Sequence, residues 1–480
     1  MASATTPARP DSPRLFGRSE FLLLVAIGAL VRFWRLFTPD AVVFDEFHYL
    51  RYSGHYFTHR YYFDLHPPLA KLLYAGMAKL FSVPPGVLLH PSPAPVLRIL
   101  PALCGTITVA LVYIILTQLG ASRAVAALGT FAVALDNALV ADSRLILLEP
   151  LMICFALTGV ACFFAARARP GASRWWLYAA SGLASGCAAS VKWTGLSGLG
   201  LILCVWLYDW IRERAQRWLR LLIPVMLVAL TVAVYLVVFA IHFSLLTRAS
   251  EGVDDNFVSL QYRETLRDDP SYSPSAQVSF LKKLEDTHHA INLGNRELEG
   301  LTHPSASPWY TWPIMKHPIG LWLSDAKQSP GRQAPFMILL GNPIVWWGGL
   351  VGLGLAILLL AWWRERARPF RFALAVLVGG YAINYLPFMP ITRLMYLYHY
   401  LFALIWISMV AAFASGVLTG WAQMSDSAPW RFPSRRSRAL YLTLAALIVV
   451  GFVYFSPFTY GFGLSSRSYD QHFWVLHPDL

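Results

Sequence analysis

Long apolar stretches separated by short polar loops dominate the pattern of hydrophobic and polar positions along the 480 residues. Because a helix needs about 20 mostly apolar residues to cross a bilayer, this pattern predicts membrane-spanning helices. The stretches that qualify are 20–37, 97–118, 123–140, 149–166, 175–190, 194–210, 220–243, 341–363, 371–389, 395–419 and 439–456. We therefore predict an all-α polytopic membrane protein with about eleven transmembrane helices, and the odd number puts the two termini on opposite sides.

The composition supports this class. Hydrophobic residues make up 56% of the chain and charged residues only 14%, against roughly 25% charged residues in a soluble domain. So few charges cannot cover a water-exposed surface, which excludes an ordinary cytosolic enzyme, a disordered chain and a disulfide scaffold. The net charge of +13 lies in the loops between apolar stretches, so it indicates membrane topology, and we expect no nucleic-acid partner.

Arginine clusters occur in the N-terminal tail and in alternate loops, where the positive-inside rule assigns them to the cytoplasm. The clusters are Arg9, Arg14 and Arg18; Arg167, Arg169 and Arg174; Arg212, Arg214, Arg217 and Arg220; Arg364, Arg366, Arg368 and Arg371; and Arg431, Arg435, Arg436 and Arg438. The N-terminus is then cytoplasmic and the C-terminus lies outside. Residues 1–480 are treated as one transmembrane domain with two long outer loops, 38–96 and 244–340. Amphipathic stretches near 46–60 and 67–81 are typical of interfacial helices.

Charged and titratable residues at the membrane boundary gather on the predicted outer side. They are Asp45, Glu46, Asp64, His66, Asp136, Asp142, Arg144, Glu149, Lys192, Arg393 and His399. Such residues are costly near lipid and are usually functional. We therefore predict an active or binding site at the outer face.

Two acidic motifs in the first outer loop allow two interpretations each. Asp45 and Glu46 are either a general base with a substrate-positioning neighbour or an N-cap and first-turn carboxylate of a helix. Asp64 and the two prolines that follow it are typical of a helix start, and His66 beside Asp64 forms either a hydrogen-bonded pair or a solvated loop pair with it. There is no HExxH zinc motif, and we predict no metal site.

Three cations on the same predicted face could together bind a phosphate: Arg144, Lys192 and Arg393. Simpler roles exist for each of them. Arg144 could pair with Glu149, and Lys192 could extend its ammonium to the interface. In RLMYLYHYL (393–401) the helical spacing of Arg393, Tyr396 and Tyr400 predicts one shared face with His399 beside it. An aromatic belt explains the tyrosines but explains Arg393 and His399 poorly.

Seven segments, in order over about 350 residues, resemble the protein O-mannosyltransferase family of GT-C glycosyltransferases. They are FDEFHYLRY (44–52), YYFDLHPPLAKLL (61–73), LDNALVADSRLILLEPL (135–151), ASVKWTGL (189–196), HPSASPWYTWPI (303–314), GNPIVWW (341–347) and RLMYLYHY (393–400). The resemblance implies a GT-C fold and inverting transfer of mannose from polyprenyl-phosphate-mannose to Ser or Thr hydroxyls of translocated proteins. It also implies that no metal or other cofactor is required.

Motif matching also implies roles for individual residues. Asp45 is similar to the family's catalytic base and Glu46 to its acceptor-side companion. The positions matching the donor-phosphate site are Arg144, Lys192, Arg393 and His399, and those matching the acceptor or sugar side are Asp64, His66 and Trp309. The expected partners are the lipid-linked donor, exported proteins, the secretion machinery and membrane lipids.

The large outer loop is too short for the β-trefoil MIR domain found in eukaryotic members, so the chain resembles bacterial members. This implies a multi-pass protein of the plasma (inner) membrane with its site on the periplasmic or extracellular face. Glu149 stands where members often have Asp. The alternative function is a GT-C transferase that moves a lipid-phosphate-linked sugar onto a lipid or wall glycan. A transporter is disfavoured because no inverted repeat is visible.

Overall fold

The computed structural model describes residues 18–212, 217–250, 258–324 and 334–472. Arg9, Arg14, Arg214 and the tail from residue 473 lie outside these residues. Within them the chain forms nineteen α-helices and one two-stranded sheet. The helices are α1 (Ser19–Phe33), α2 (Glu46–Thr58), α3 (Leu69–Leu80), α4 (Pro85–Leu89), α5 (Ile99–Gln118), α6 (Arg123–Ala134), α7 (Asn137–Asp142), α8 (Glu149–Ala168), α9 (Ser173–Val191), α10 (Leu196–Arg212), α11 (Arg217–Leu245), α12 (Leu260–Arg263), α13 (Phe280–Glu297), α14 (Pro343–Ala361), α15 (Arg364–Ala367), α16 (Arg371–Tyr385), α17 (Leu401–Thr419), α18 (Arg435–Tyr460) and α19 (Ser466–His472). The strands are β1 (Ile319–Leu323) and β2 (Phe336–Leu339).

All eleven predicted spans coincide with helices. Eight helical segments of the described chain are long and apolar enough to cross a membrane, and these contain α5, α8, α10, α11, α14, α16, α17 and α18. The other three predicted spans correspond to α1, α6 and α9. The first two are shorter, and α9 is rich in the small residues Ala, Gly and Ser.

The predicted span 123–140 is broken in the structure, where α6 ends at Ala134 and α7 begins at Asn137. Asp136 causes the break, because its carboxylate caps α7 by accepting the Leu139 N–H at 3.0 Å. The same carboxylate accepts the backbone N–H of Asn342 at 2.9 Å and the indole N–H of Trp346 at 2.8 Å. These contacts tie α7 to the start of α14, and hydropathy alone does not reveal them.

The helix α17 forms the centre of the membrane bundle and is almost entirely buried. It packs against α14, α16 and α6, while α8 packs against α5 and α9. By contrast, α11 and α18 expose most of their apolar residues, as expected for helices at the lipid-facing periphery. The bundle therefore holds the ends of α8, α9 and α17 in fixed positions near the predicted outer loops.

The two long loops pack together at one end of the bundle. The first contains α2, α3 and α4, and the larger one contains α12, α13 and the antiparallel β1–β2 hairpin. Backbone hydrogen bonds join them, since the Tyr61 N–H donates to the Arg248 carbonyl at 2.8 Å. A small cluster of buried aromatic side chains, including Tyr61, Phe243 and Tyr262, stabilises this junction.

Residues 391–396 are extended, although the spacing of Arg393, Tyr396 and Tyr400 predicts one helical face. Helical structure begins only at Leu397. The backbone of this segment pairs instead with the large loop, where the Ser307 N–H donates to the Met395 carbonyl at 2.8 Å. The predicted shared helical face is therefore wrong, because the backbone groups of this segment have partners outside a helix.

Candidate active site

Asp45 lies in the turn between α1 and α2, at the N-cap position of α2. Its carboxylate does not cap the helix, and among the described residues it has no hydrogen bond or ion pair. The side chain is partly buried. Burial and the nearby Glu149 charge raise the pKa of Asp45 to about 7. Asp64 acts in the same direction and Lys192 in the opposite one.

Glu46, the adjacent carboxylate, is fully buried and fully paired. Its two oxygens receive the Arg98 guanidinium at 2.8 and 2.7 Å. They also accept the backbone N–H groups of Val43 at 2.9 Å and Ile146 at 3.0 Å. This geometry gives Glu46 a structural task, which is to join the start of α2 to the segment between α7 and α8.

Asp64 and His66 lie in a turn that a buried lysine organises. The Lys71 ammonium lies 2.5 Å from the Asp64 carboxylate and donates to the carbonyl oxygens of His66 at 2.8 Å and Pro67 at 2.6 Å. Sequence reasoning missed Lys71, although a lysine within the apolar run PPLAKLL is a signal that could have been used. It fixes the turn that presents Asp64.

The imidazole of His66 faces a group of cations. Burial lowers the pKa of His66 well below its ordinary value, and the ammonium groups of Lys192 and Lys71 act in the same direction. Arg393 and His399 add to the effect. His66 is therefore a neutral imidazole, suited to hydrogen bonding with an uncharged hydroxyl.

Lys192 follows the last residue of α9 and borders a cavity of about 300 Å³. Its ammonium lies 2.5 Å from Glu149, in the first turn of α8, and 5.1 Å from the centre of the Tyr398 ring. We call this space the Lys192 cavity; its lining includes Glu149, Lys192, Trp193, Asn384, Tyr398 and His399. The expectation that Lys192 merely extends to the interface is wrong, because the side chain is buried and paired.

Arg393 borders an open groove of about 440 Å³, which we call the Arg393 groove; Trp309, Tyr310, His303 and Met395 also line it. Its guanidinium donates to the Leu394 carbonyl at 3.1 Å, and no carboxylate of the described residues pairs with it. Ile391 lines both the groove and the Lys192 cavity. The two spaces are therefore neighbours on either side of Ile391, and one is bordered by Arg393 and the other by the paired Lys192.

Arg144 does not join this group. Its guanidinium donates to the carbonyl oxygens of Arg32 at 2.9 Å, Trp34 at 2.5 Å and Arg35 at 2.9 Å, and it stacks on Tyr460. The first carbonyl belongs to the last turn of α1 and the other two to the residues just past its end, where backbone carbonyls lack intrahelical partners. The geometry thus corrects the predicted three-cation cluster, because the end of α1 occupies Arg144. Arg144 also does not pair with Glu149, because Glu149 forms its ion pair with Lys192.

The structure brings together six of the predicted site residues and places a seventh beside them. Asp45, Asp64, His66, Lys192, Arg393 and His399 influence one another electrostatically. Trp309 shares the groove with Arg393, whereas Glu46 and Arg144 are engaged elsewhere. A partly buried carboxylate that titrates near neutral pH, next to cations, can accept a proton while an anion is held nearby.

Comparison with known protein families gives two adjoining matches. Residues 22–247 match the family described as "Dolichyl-phosphate-mannose-protein mannosyltransferase", and residues 280–477 match the "C-terminal four TMM region of protein-O-mannosyltransferase". Protein O-mannosyltransferase 1 of Drosophila pseudoobscura pseudoobscura is 35% identical over 288 residues. That match covers 55% of this chain and 31% of the relative, so the chain spans about a third of the relative's length.

Solved structures share the architecture. The S. cerevisiae protein O-mannosyltransferase Pmt1-Pmt2 complex bound to the sugar donor superposes with a TM-score of 0.83 at 20% identity, covering 97% of this chain and 93% of that one. The archaeal oligosaccharyltransferase AglB from Archaeoglobus fulgidus superposes with a TM-score of 0.53 at 13% identity, covering 96% and 58%. Similarity at these identities shows the fold, and it confirms the predicted GT-C architecture.

Proposed function

Because the chain belongs to the dolichyl-phosphate-mannose-protein mannosyltransferase family, we propose that it transfers mannose from polyprenyl-phosphate-mannose to Ser or Thr hydroxyls of translocated proteins. The chain is a multi-pass membrane protein. As part of the proposal, the reaction takes place at the outer face of the plasma membrane, where exported proteins emerge. The observation that carries the proposal is Asp45, a carboxylate without a partner among the described residues that interacts electrostatically with Glu149 and Lys192 of the Lys192 cavity.

Asp45 acts as the general base. A Ser or Thr hydroxyl is a weak nucleophile, so its proton must leave as the oxygen attacks C1 of the mannose. In the same step the bond between C1 and the phosphate oxygen breaks, and the electron pair leaves with the lipid phosphate. Attack from the side opposite the leaving group inverts the configuration at C1. The raised pKa of Asp45 suits this task, since a base that titrates near the working pH accepts a proton most effectively.

Lys192, Arg393 and His399 hold the lipid phosphate. Negative charge develops on that group as the glycosidic bond breaks, and fixed cations stabilise it. Arg393 supplies a guanidinium that no carboxylate of the described residues neutralises, and Lys192 shares its ammonium between Glu149 and the phosphate. The Nδ1 atom of His399 lies 3.0 Å from the Tyr396 carbonyl oxygen and 3.3 Å from the Tyr396 backbone nitrogen, and these contacts hold the ring at the border of the Lys192 cavity. These side chains take the part that a divalent metal plays in other transferases.

Asp64, His66 and Trp309 form the acceptor and sugar side. Asp64 is held by Lys71, so it presents a fixed acceptor for a sugar or peptide hydrogen-bond donor. The neutral imidazole of His66 accompanies it. Trp309 offers an aromatic face in the Arg393 groove. Glu46 is reassigned from acceptor contact to positioning, since its oxygens are occupied by Arg98 and backbone N–H groups.

A reconstituted transfer assay tests the proposal. Purified protein in detergent is incubated with polyprenyl-phosphate-mannose and a Ser/Thr peptide, and mass spectrometry measures the hexose added. The wild type and Asp40→Asn, an exposed carboxylate of the same loop, should transfer mannose, whereas Asp45→Asn should not. Product digestion with α- and β-mannosidases reports the anomeric outcome. Transfer to a lipid or wall-glycan acceptor in place of the peptide would establish the alternative function.

The same assay tests the metal-free chemistry. After EDTA treatment and dialysis, transfer should continue at the untreated rate, because Lys192 and Arg393 neutralise the phosphate in the proposed mechanism. If transfer disappears and returns on addition of Mn²⁺ or Mg²⁺, the metal-free mechanism is wrong.

A further inference from the structure

The helix α13 of the large outer loop contacts three chain segments that carry site residues. One contact reaches Trp193, next to Lys192. A second reaches the turn containing Asp64 and His66, and a third reaches the segment of Arg393. The helix and the two residues that follow it, Leu298 and Glu299, therefore border three segments of the site.

The first contact is a directed chain of hydrogen bonds. The Nδ1 atom of His288 donates to the Leu284 carbonyl at 2.7 Å, which makes its Nε2 atom an acceptor. Tyr235 donates its hydroxyl proton to that Nε2 atom at 2.8 Å and accepts the Trp193 indole N–H at 2.9 Å. The rings of Trp193 and His288 also stack, with centroids 5.7 Å apart and an interplanar angle of 17°. Together these contacts fix the orientation of one wall of the Lys192 cavity.

The second contact is steric and requires a glycine. At Gly294 a Cβ atom would lie 2.8 Å from Leu65 Cδ2 and 2.9 Å from Phe63 Cζ. Real Cβ atoms do not approach other atoms so closely, so α13 lies directly on the turn that presents Asp64 and His66. A larger side chain at residue 294 would displace the Leu65 and Phe63 side chains of that turn.

The third contact is made by the backbone just past the helix. The Leu394 N–H donates to the Leu298 carbonyl at 3.3 Å, and Glu299 pairs with Arg393 as a short antiparallel bridge. This pairing is one reason why the segment before α17 is extended. It sets the backbone position from which the Arg393 guanidinium reaches the groove.

We infer that α13 sets the geometry between the donor and acceptor sides of the site, with His288 as a positioning residue that acts through Tyr235 and Trp193. The inference rests on the function proposed above. His288 and Tyr235 fix the donor side, and the absence of a side chain at Gly294 fixes the acceptor side. Changes at the two positions should therefore alter different kinetic parameters, although both lie on one helix.

The experiment compares variants of the full chain in detergent. His288→Ala and Tyr235→Phe each remove the bonded chain, and His288→Gln retains an acceptor for the Tyr235 hydroxyl. His289→Ala is the matched control, because His289 is the neighbouring histidine and is exposed. For each variant we measure the donor KM, acceptor KM and kcat per folded molecule, together with the Kd for polyprenyl phosphate.

His288→Ala and Tyr235→Phe should each raise the donor KM and the Kd for polyprenyl phosphate about tenfold, as for one lost hydrogen bond. The double variant should be no worse than either single one, because both act on the same chain. His288→Gln should recover most of the affinity, and His289→Ala should match the wild type. Gly294→Ala should instead raise the acceptor KM and leave the Kd for polyprenyl phosphate unchanged.

Two results would overturn the inference while leaving the proposed function intact. One is wild-type donor KM and lipid-phosphate Kd in His288→Ala and Tyr235→Phe. The other is a lower melting temperature in those variants with normal affinity per folded molecule, which would mean that His288 only stabilises the loop. If the wild type binds polyprenyl phosphate but transfers no mannose, the proposed function fails, and weaker binding in His288→Ala still supports the inference. A wild type that binds no lipid phosphate overturns both.

Discussion

Replacing Asp45 by Asn should abolish turnover and yet stabilise the protein above neutral pH. The substitution keeps the size of the side chain and removes its ability to accept a proton. We expect turnover to fall by about 10²–10⁴-fold, the usual contribution of a general base. In the wild type the base must be ionised, and the pKa of Asp45 is about 7. Turnover should therefore rise about tenfold from pH 5 to 6 and level off above pH 8.

Asp45→Asn should lower turnover but raise the free energy of unfolding. The pKa of Asp45 is higher in the folded protein than the ordinary value near 3.9, so the folded state binds more protons than the unfolded state between about pH 4 and 7. The free energy of unfolding consequently falls as the pH rises through that window. A pKa difference of about 3 corresponds to on the order of 4 kcal/mol, and partial exposure of Asp45 lowers the expected gain to about 2 kcal/mol.

Paired measurements check both effects. Thermal melting in detergent at pH 4 and pH 8 should give equal midpoints for wild type and Asp45→Asn at pH 4, and a higher midpoint for the variant at pH 8. Asp40→Asn, on the exposed part of the same loop, should change neither melting nor turnover. Normal turnover in purified Asp45→Asn would refute the base assignment. Equal melting at pH 8 would refute the raised pKa.

Three further substitutions separate chemistry from architecture. Arg393→Ala should lower kcat/KM by on the order of 10²-fold, as for one lost transition-state contact, and wild-type kinetics would show that the guanidinium does not reach the phosphate. Arg144→Ala should lower the melting temperature while turnover per folded molecule stays normal, because its partners are backbone carbonyls at and just past the end of α1; a loss of turnover in well-folded protein would contradict this. Glu46→Gln leaves Arg98 buried without its anion, which should cost on the order of 3–5 kcal/mol, measured by denaturation; an unchanged stability would show that the ion pair is dispensable.

Hydropathy was sufficient to locate the helices because burial in lipid requires long apolar runs whatever their tertiary partners. It failed at Asp136, where a side chain ends one helix and begins the next through bonds to Asn342 and Trp346. Those partners lie more than 200 positions away. Local sequence therefore indicates which segments are helical, and distant contacts decide where a helix is interrupted.

Distant contacts also decide which of the predicted site residues converge, and local sequence does not show them. Side assignment indicates that Arg144 and Lys192 share a membrane face, but it cannot show where each side chain points. Lys192 follows the end of α9 and borders the cavity, whereas Arg144 reaches back to the carbonyls at and just past the end of α1. Sequence reasoning overlooked Lys71 for the same reason. Its role depends on an ion pair with Asp64, seven positions earlier, which only the turn brings within reach.

The adjacent carboxylates Asp45 and Glu46 show how the fold accommodates an unfavourable but useful charge. A partly buried carboxylate without a partner is destabilising when ionised, so it persists only where the surrounding backbone is held firmly. Glu46 provides that support by bonding to Arg98 and to the Ile146 N–H, and the buried Arg98 also reaches the Pro39 and Ala41 carbonyls before the turn. Asp45 can then remain unpaired among the described residues without releasing the start of α2. Loss of the Glu46 ion pair should therefore impair catalysis through Asp45, although Glu46 itself touches no substrate in the proposed mechanism.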